Sequence, residues 1–369
     1  MNNSNSMIEE LDYAKIRDNF CRELQLATEG GKTSLPFIKN PLPDIPLVAI
    51  GEKFQAFVIG GTKGSVATVE YRTNKTIQIL TIERFPLLPK FATKDDFLDF
   101  LRIHIQEETR VIAINLAAEL LPFIGMNGEL DGILMEGATK RHAYKDLQKE
   151  KVGKTIEEFF HNKIIASVAN DTVCVLAAAI EKDINKDHLA AGIVGTGYNM
   201  GFFLNDMTII NVQSSDFHNF TPTESGRIVD GASTNKGERL YSKEIAAGDL
   251  YKHYNALIPI LNLKPIPFHS TEELAISAES NIEKEGLVAN QLFHRSASLV
   301  AAHFAGLYRY KQSPPHLTFI MDGSMFWEKT GYKEIVAEQL LALGVPEGTI
   351  TFKQIAEGDI LGAAKLVTG

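Results

Sequence analysis

Cysteine and tryptophan are nearly absent: the 369-residue chain has two cysteines, Cys21 and Cys174, and one tryptophan. Two thiols so far apart, without metal-ligand spacing, exclude a disulfide framework and a cysteine zinc site. The expectation is a free-thiol, cytoplasmic protein. No apolar run approaches the ~20 residues of a membrane helix; the longest, Val173 to Ile180, has the length of a buried helix. Positive charge is short as well. Lys and Arg number 37 against 46 Asp and Glu, a net charge of -9, and no basic patch points to nucleic acid as a partner. Met1 to Glu10 is polar and acidic, unlike a secretory or transit peptide. The ten histidines show no metal spacing, and His253, His269 and His294 read as surface or satisfied core residues.

What is present has the balance of a globular protein of two ordinary domains or one large one, 44% hydrophobic and 22% charged. Residues 7–28 have the period of an amphipathic helix that stops at Gly30-Gly31. After a proline-rich connection over 33–46, a module begins: strand Phe54 to Ile59, the turn Gly60-Gly61-Thr62-Lys63-Gly64, strand Val66 to Tyr71, a turn, and strand Ile77 to Ile82. The same order recurs as strand Leu189 to Val194, turn Gly195-Thr196-Gly197, strand Met200 to Leu204, hairpin Asn205-Asp206 and strand Met207 to Val212. Two such modules, with helices around 95–107 and 154–161 and strands at Val111 to Asn115 and Ile164 to Ala169 between them, fit a duplicated α/β domain. A long helix over 282–310 precedes the strand Leu317 to Met321 and the turn Asp322-Gly323-Ser324. The chain closes with a strand at Ile350 to Gln354 and a helix at Gly362 to Thr368.

Three glycine turns thus follow buried strands. Glycine lets backbone N–H groups approach an anion, and the hydroxyls of Thr62, Thr196 and Ser324 add donors. Any one of them reads equally as an ordinary hairpin; the set of three points to a nucleotide cleft. None fits the P-loop or the dinucleotide fingerprint. At Ala169-Asn170-Asp171-Thr172 a buried strand gives way to a helix. Asn170 or Asp171 reads either as a helix N-cap or, for Asp171, as a general base at the ligand-binding edge of the sheet. Lys140, after Thr139, reads as a solvated loop lysine, and Asp95-Asp96 as a helix N-terminus.

In order, these pieces resemble the eukaryotic-type hexokinase and glucokinase family from about Ser34 to the C-terminus. The resemblance rests on Ser34-Leu35-Pro36, Gly60-Gly61-Thr62, Gly132-Ile133-Leu134, Ala138-Thr139-Lys140, Val168-Ala169-Asn170-Asp171-Thr172-Val173 and Ile193-Val194-Gly195-Thr196-Gly197-Tyr198-Asn199. It continues through Val229-Asp230, Ser233, Asn235, Gly237, Leu240-Tyr241, Lys243, Arg295-Ser296-Ala297, Asp322-Gly323-Ser324 and Gly362-Ala363-Ala364. It implies an α/β fold of two ribonuclease-H-like, actin-like domains, the smaller over 46–171 with 356–369 and the larger over 1–45 with 172–355. It implies phosphorylation of a hexose by ATP with Mg2+, with Asp171 as base and Lys140 steadying the transferring phosphoryl group. Thr139, Lys140, Asn170, Asp171, Asn199, Gln213 and Ser242 would meet the sugar; Gly60, Gly61, Thr62, Lys63, Gly195, Thr196, Gly197, Gly323 and Ser324 would meet the nucleotide.

The chain departs from the family at several points. Val58 stands where the family has a magnesium-side aspartate, and Ser65 where it has an arginine. Leu120 replaces a serine, Ala138 a tryptophan, and Gln213 and Ser242 two sugar-binding glutamates, for which Asp216 or Glu238 could substitute. Such changes are also what a catalytically weakened sugar or nucleotide sensor would carry.

Overall fold

The structure, a computed structural model, describes residues 6–61, 63–87, 90–136, 142–181, 184–280, 283–329 and 331–369. In chain order the elements are α1 (Tyr13–Thr28), β1 (Ile38–Pro41), β2 (Lys53–Ile59), β3 (Lys63–Tyr71), β4 (Ile77–Pro86), α2 (Lys94–His104), β5 (Val111–Leu116), β6 (Leu120–Ile124), β7 (Leu130–Leu134) and α3 (Val152–Phe159). Then come β8 (Ile165–Asn170), α4 (Asp171–Ala177), β9 (Leu189–Val194), β10 (Tyr198–Asn205), β11 (Thr208–Asn211), α5 (Glu224–Gly231), α6 (Leu240–Ile245) and α7 (Ala247–Leu261). The chain ends with α8 (Thr271–Ser280), α9 (Lys284–Tyr310), β12 (Leu317–Asp322), α10 (Ser324–Trp327), α11 (Tyr332–Ala342), β13 (Ile350–Lys353) and α12 (Gly358–Thr368). No helix is long and apolar enough to cross a membrane among the described residues.

Local chemistry explains the element ends. The Asp12 side chain accepts from Lys15 N–H to start α1, six residues later than the apolar period predicts, and Gly30 leaves the helix at φ 77. Thr93 and Asp96 form a reciprocal capping box at α2, which holds the Asp96 carboxyl below its ordinary range. The expected helix N-terminus at Asp95-Asp96 is therefore observed. β6, absent from the sequence reading, forms a two-stranded ribbon with β7, with Pro122 opposite Gly132. A proline is tolerated there because an isolated two-strand ribbon is all edge.

A five-stranded sheet has the order β4-β3-β2-β5-β8, with β2, β5 and β8 parallel and β2–β3–β4 antiparallel. A six-stranded sheet has the order β1-β11-β10-β9-β12-β13. By contacts the chain divides into two compact units. One, called here the Asp171 unit, comprises Ile38–Ala191, Gly201–Asn211 and Gln354–Gly369; the other, the Gly195 unit, comprises Met1–Phe37, Gly192–Met200 and Val212–Lys353.

In the Asp171 unit, alternate residues of the parallel strands serve opposite faces. Phe57, Ile59, Ile112, Ile114 and Leu116 join Phe97, Leu101 and Ile156 of α2 and α3 in one core. On the opposite parity Val58, Asn115 and Ala169 lie in register, toward α12, since the Asn115 amide donates to Asp359 O at 3.2 Å. In the Gly195 unit α1 lies along α9. A Cβ at Gly306 would come within 2.9 Å of Arg17 O, so glycine is what lets the two helices approach.

Candidate active site

Nominated residues occur in each unit. In the Asp171 unit, β8 ends at Asn170, which is 5% exposed and caps α4. Its Oδ1 accepts from Thr172 N–H at 3.0 Å and from the Asn211 amide at 2.9 Å, while its Nδ2 donates to Ala118 O at 3.0 Å. One amide hydrogen is not used by these bonds. Asp171 follows as the first residue of α4, half-buried, its Oδ1 accepting from Thr172 N–H at 2.7 Å. Asn170 is thus the N-cap, and Asp171 stands at the carboxyl end of a parallel strand, the edge at which open α/β sheets bind ligands. α4 is held from behind by α12. A Cβ at Gly362 would lie 1.7 Å from Cys174 O, which fixes that residue as glycine. Burial, followed by the carboxylates of Asp171 and Asp359, pushes the Cys174 thiol well up. In the sequence Asp359 reads only as part of an acidic turn, Glu357-Gly358-Asp359, ahead of a helix at Gly362; it lies instead in the first turn of α12.

At the first glycine turn Gly60 N–H donates to Lys63 O at 3.1 Å, and a Cβ on Gly60 would meet that oxygen at 2.7 Å. The turn is a tight hairpin, and Lys63 opens β3. Thr62, Thr139 and Lys140 lie outside the described residues. His142, also missed in the sequence, accepts from Phe91 N–H through Nδ1 at 3.0 Å and reaches Gly60 O through Nε2 at 3.1 Å.

In the Gly195 unit the second glycine turn closes through Gly195 N–H to Gly197 O at 3.0 Å, and Ala247 N–H donates to Gly195 O at 2.9 Å. Gly323, at φ 103, lies against it: a Cβ there would sit 2.2 Å from Val194 O. Gly323 is thus required by backbone packing, whereas a Cβ on Gly195 would make only ordinary contact, 3.4 Å from Gly323 Cα, and one on Gly197 would meet nothing within 4 Å. Thr196 and Ser324 are exposed beside them. Asn199 Oδ1 accepts from Met200 N–H at 2.8 Å and Ser214 N–H at 3.2 Å, fastening the left-handed Gln213 (φ 51) that precedes the Ser214 turn. Ser242 is 2% exposed within α6. Near Gln213, Asp216 has its carboxyl raised by burial, against the lowering effects of Arg239 and His218.

Other residues in the resemblance are occupied structurally. Lys243 Nζ pairs with Asp230 at 2.5 Å and donates to Ser233 Oγ at 2.9 Å and Asn235 O at 2.8 Å. Burial alone would raise the Asp230 carboxyl, but the Lys243 and Gly237 donors leave it below its ordinary range. Arg295 pairs with Glu244 at 3.2 Å, both almost fully buried, and His253 is fully buried between Arg295, Ser225 and Lys243 O. His253 is thus a satisfied core residue, as expected. A cavity of about 310 Å³ lined by Phe293, Lys329 and Tyr332, among others, contains none of the nominated residues.

The family model described as hexokinase matches residues 268–368. Among solved structures, a hexokinase from Schistosoma mansoni complexed with glucose is 17% identical, over 97% of this chain and 95% of that one, with a TM-score of 0.74. A second hexokinase structure is 18% identical, over 97% and 96%, with a TM-score of 0.76. A ROK hexokinase from Thermus thermophilus is 16% identical, over 85% and 97%, with a TM-score of 0.58. No curated protein sequence matches the chain. The resemblance read from the motifs is therefore met by a family match over the C-terminal part and by a hexokinase fold over nearly the whole chain.

Proposed function

We propose that the chain transfers a phosphoryl group from ATP to the terminal hydroxyl of a hexose, with Asp171 as general base. The observation that carries this reading is Asp171 itself, at the carboxyl end of β8, on a backbone pinned by the three hydrogen bonds of Asn170. The hexokinase match over 268–368 supports it. In the proposed reaction the Asp171 carboxylate takes the hydroxyl proton as the oxygen attacks the γ-phosphorus and the bond to ADP breaks. Thr139, Lys140, Asn170, Asn199, Gln213 and Ser242 are the proposed sugar contacts, with Asp216 the carboxylate beside the Gln213 turn. The turns at 60–63, 195–197 and 323–324 are the proposed nucleotide contacts, with Gly197 the position open to a phosphate. Division of the chain at 46–171 with 356–369 against 1–45 with 172–355 is retained as the domain arrangement of this reading. The free thiols Cys21 and Cys174 fit a cytoplasmic setting.

Magnesium carried by ATP takes most of its ligands from phosphates and water and needs only one or two carboxylates. Among the described residues no group of three or more His, Cys, Asp or Glu is placed to hold a metal alone. Val58 offers no ligand, but its row-mate Asn115 anchors the backbone of Asp359, so Asp171 and Asp359 are the two acids suited to the ion. Bound there, it would neutralise charge on the transferring phosphoryl group.

The test is ADP release with magnesium across a panel of hexoses and hexosamines, for wild type and Asp171→Asn. Sugar-dependent release that disappears in the variant is expected. A second reading, a sugar or nucleotide sensor, is favoured by Val58; tight binding of sugar or ATP by the wild type without any turnover would establish it instead.

A further inference from the structure

We propose that His142 is a positioning residue that ties the Gly60 turn to the Phe91-Ala92 segment ahead of α2 and so sets where that turn stands. Its kinetic consequence rests on the kinase reading; the tie itself does not. His142 stands two residues after Lys140 and is 5% exposed. Because Phe91 N–H donates to Nδ1 at 3.0 Å, the ring proton is on Nε2, which donates to Gly60 O at 3.1 Å. The ring lies against Phe91 with centroids 4.9 Å apart and planes 29° apart.

One side of the imidazole is thus fixed to a frame. Ala143 N–H donates to Phe91 O at 2.9 Å, Lys145 N–H to Ala92 O at 2.9 Å, and Lys94 N–H to Lys145 O at 2.8 Å. The other side holds the carbonyl of a turn too tight to yield locally, since Gly60 N–H is closed on Lys63 O. Displacing the Gly60 carbonyl therefore moves the whole turn. The proposed phosphate turn is thus held by one ring to a frame remote in sequence, and an ångström of misplacement in such a site costs up to about a hundredfold in rate.

Two near-isosteres separate the two ends of the ring. Asn at 142 can still accept from Phe91 N–H but cannot reach Gly60; Gln can still donate to Gly60. In hydrogen–deuterium exchange on the full chain, normalised to α3, His142→Asn is expected to speed exchange of residues 60–64 about tenfold, with His142→Gln near wild type. With ATP varied at saturating sugar, kcat/KM should fall roughly ten- to a hundredfold in the Asn variant and recover in the Gln variant. Wild-type protection of residues 60–64 in the Asn variant would overturn the proposal, as would faster exchange with unchanged kcat/KM. If the wild type turns over no sugar, the kinase reading falls on its own and the exchange comparison alone decides whether the tie exists.

Discussion

The β8–α4 junction and the polar group beneath α6 and α9 are both built on buried hydrogen bonds, yet they differ in what they leave exposed. Under α6 and α9 the charges are consumed internally. Glu244 accepts from Thr223 N–H and Oγ1 at 2.8 and 3.0 Å and pairs with Arg295, and His253 closes the group. All are almost fully out of solvent. At β8–α4 the burial stops one residue short: Asn170 is buried and fixed, and Asp171 beside it is only half-buried. A motif residue in a closed network serves the fold, whereas one on a fixed backbone at the rim of a sheet is left accessible, as the proposed reaction requires of Asp171. Arg295 and Lys243 entered the family resemblance beside Asp171, and only packing distinguishes their tasks.

Variants can break this contrast. The largest effect is expected for Asp171→Asn: kcat falling about 10²–10⁴-fold, with the urea midpoint unchanged because the Asn oxygen can still accept from Thr172 N–H. Arg295→Met should behave in the opposite way. It leaves Glu244 buried without its cation, which costs about 3–5 kcal/mol in urea unfolding, with turnover per folded molecule retained. Asn170→Ala should fall between, losing about 1–2 kcal/mol with the helix cap and part of the activity as Asp171 loosens. Equal loss of stability in the Asp171 and Arg295 variants would erase the distinction.

Much of this architecture was legible in the sequence because its signals are local. β9 runs over the residues predicted for it, β2 and β5 differ from expectation by one residue at one end, and β8 by one residue at each end. Asp171 was legible because strand, carboxylate and helix are consecutive. What could not be read depends on partners far along the chain: Gly60 and Phe91 lie 82 and 51 residues from His142, and Arg295 lies 42 residues from His253. β6 was missed for another reason. Pro122 is evidence against a central strand, and that argument does not hold in a ribbon of two edges. The glycines divide similarly. Gly60, Gly195 and Gly323 looked like phosphate cradles, yet Gly60 and Gly323 are already required by a close backbone approach and Gly195 is not, a distinction invisible without coordinates.

The smallest effect expected is a slope in stability with pH, and it sharpens the comparison from within the closed core. His303 is fully buried, stacked between Phe20 at 3.7 Å and Tyr241 at 3.8 Å. Its Nδ1 meets Tyr198 OH at 3.2 Å, while Nε2 has no partner among the described residues. Burial holds it well below its ordinary value of 6.5, so the folded protein keeps it neutral. The unfolded chain takes up a proton on this residue near pH 6.5 and the folded chain does not. Stability is therefore fully present above that pH and lost as pH falls below it, by up to about 1.4 kcal/mol per pH unit. His253, lowered mainly by burial, adds a slope of the same sign. Asp131 and Asp216, raised mainly by burial, contribute stability at low pH that is lost as pH rises. The difference between wild type and His303→Phe cancels those shared terms, because phenylalanine keeps the stack and removes the titration. Urea unfolding at pH 7.5, 6.5 and 5.5 should show the two proteins diverging least at pH 7.5 and the wild type losing ground below pH 6.5. Parallel pH profiles would mean that His303 is protonated within the fold, and that this core, like the rim at Asp171, admits charge.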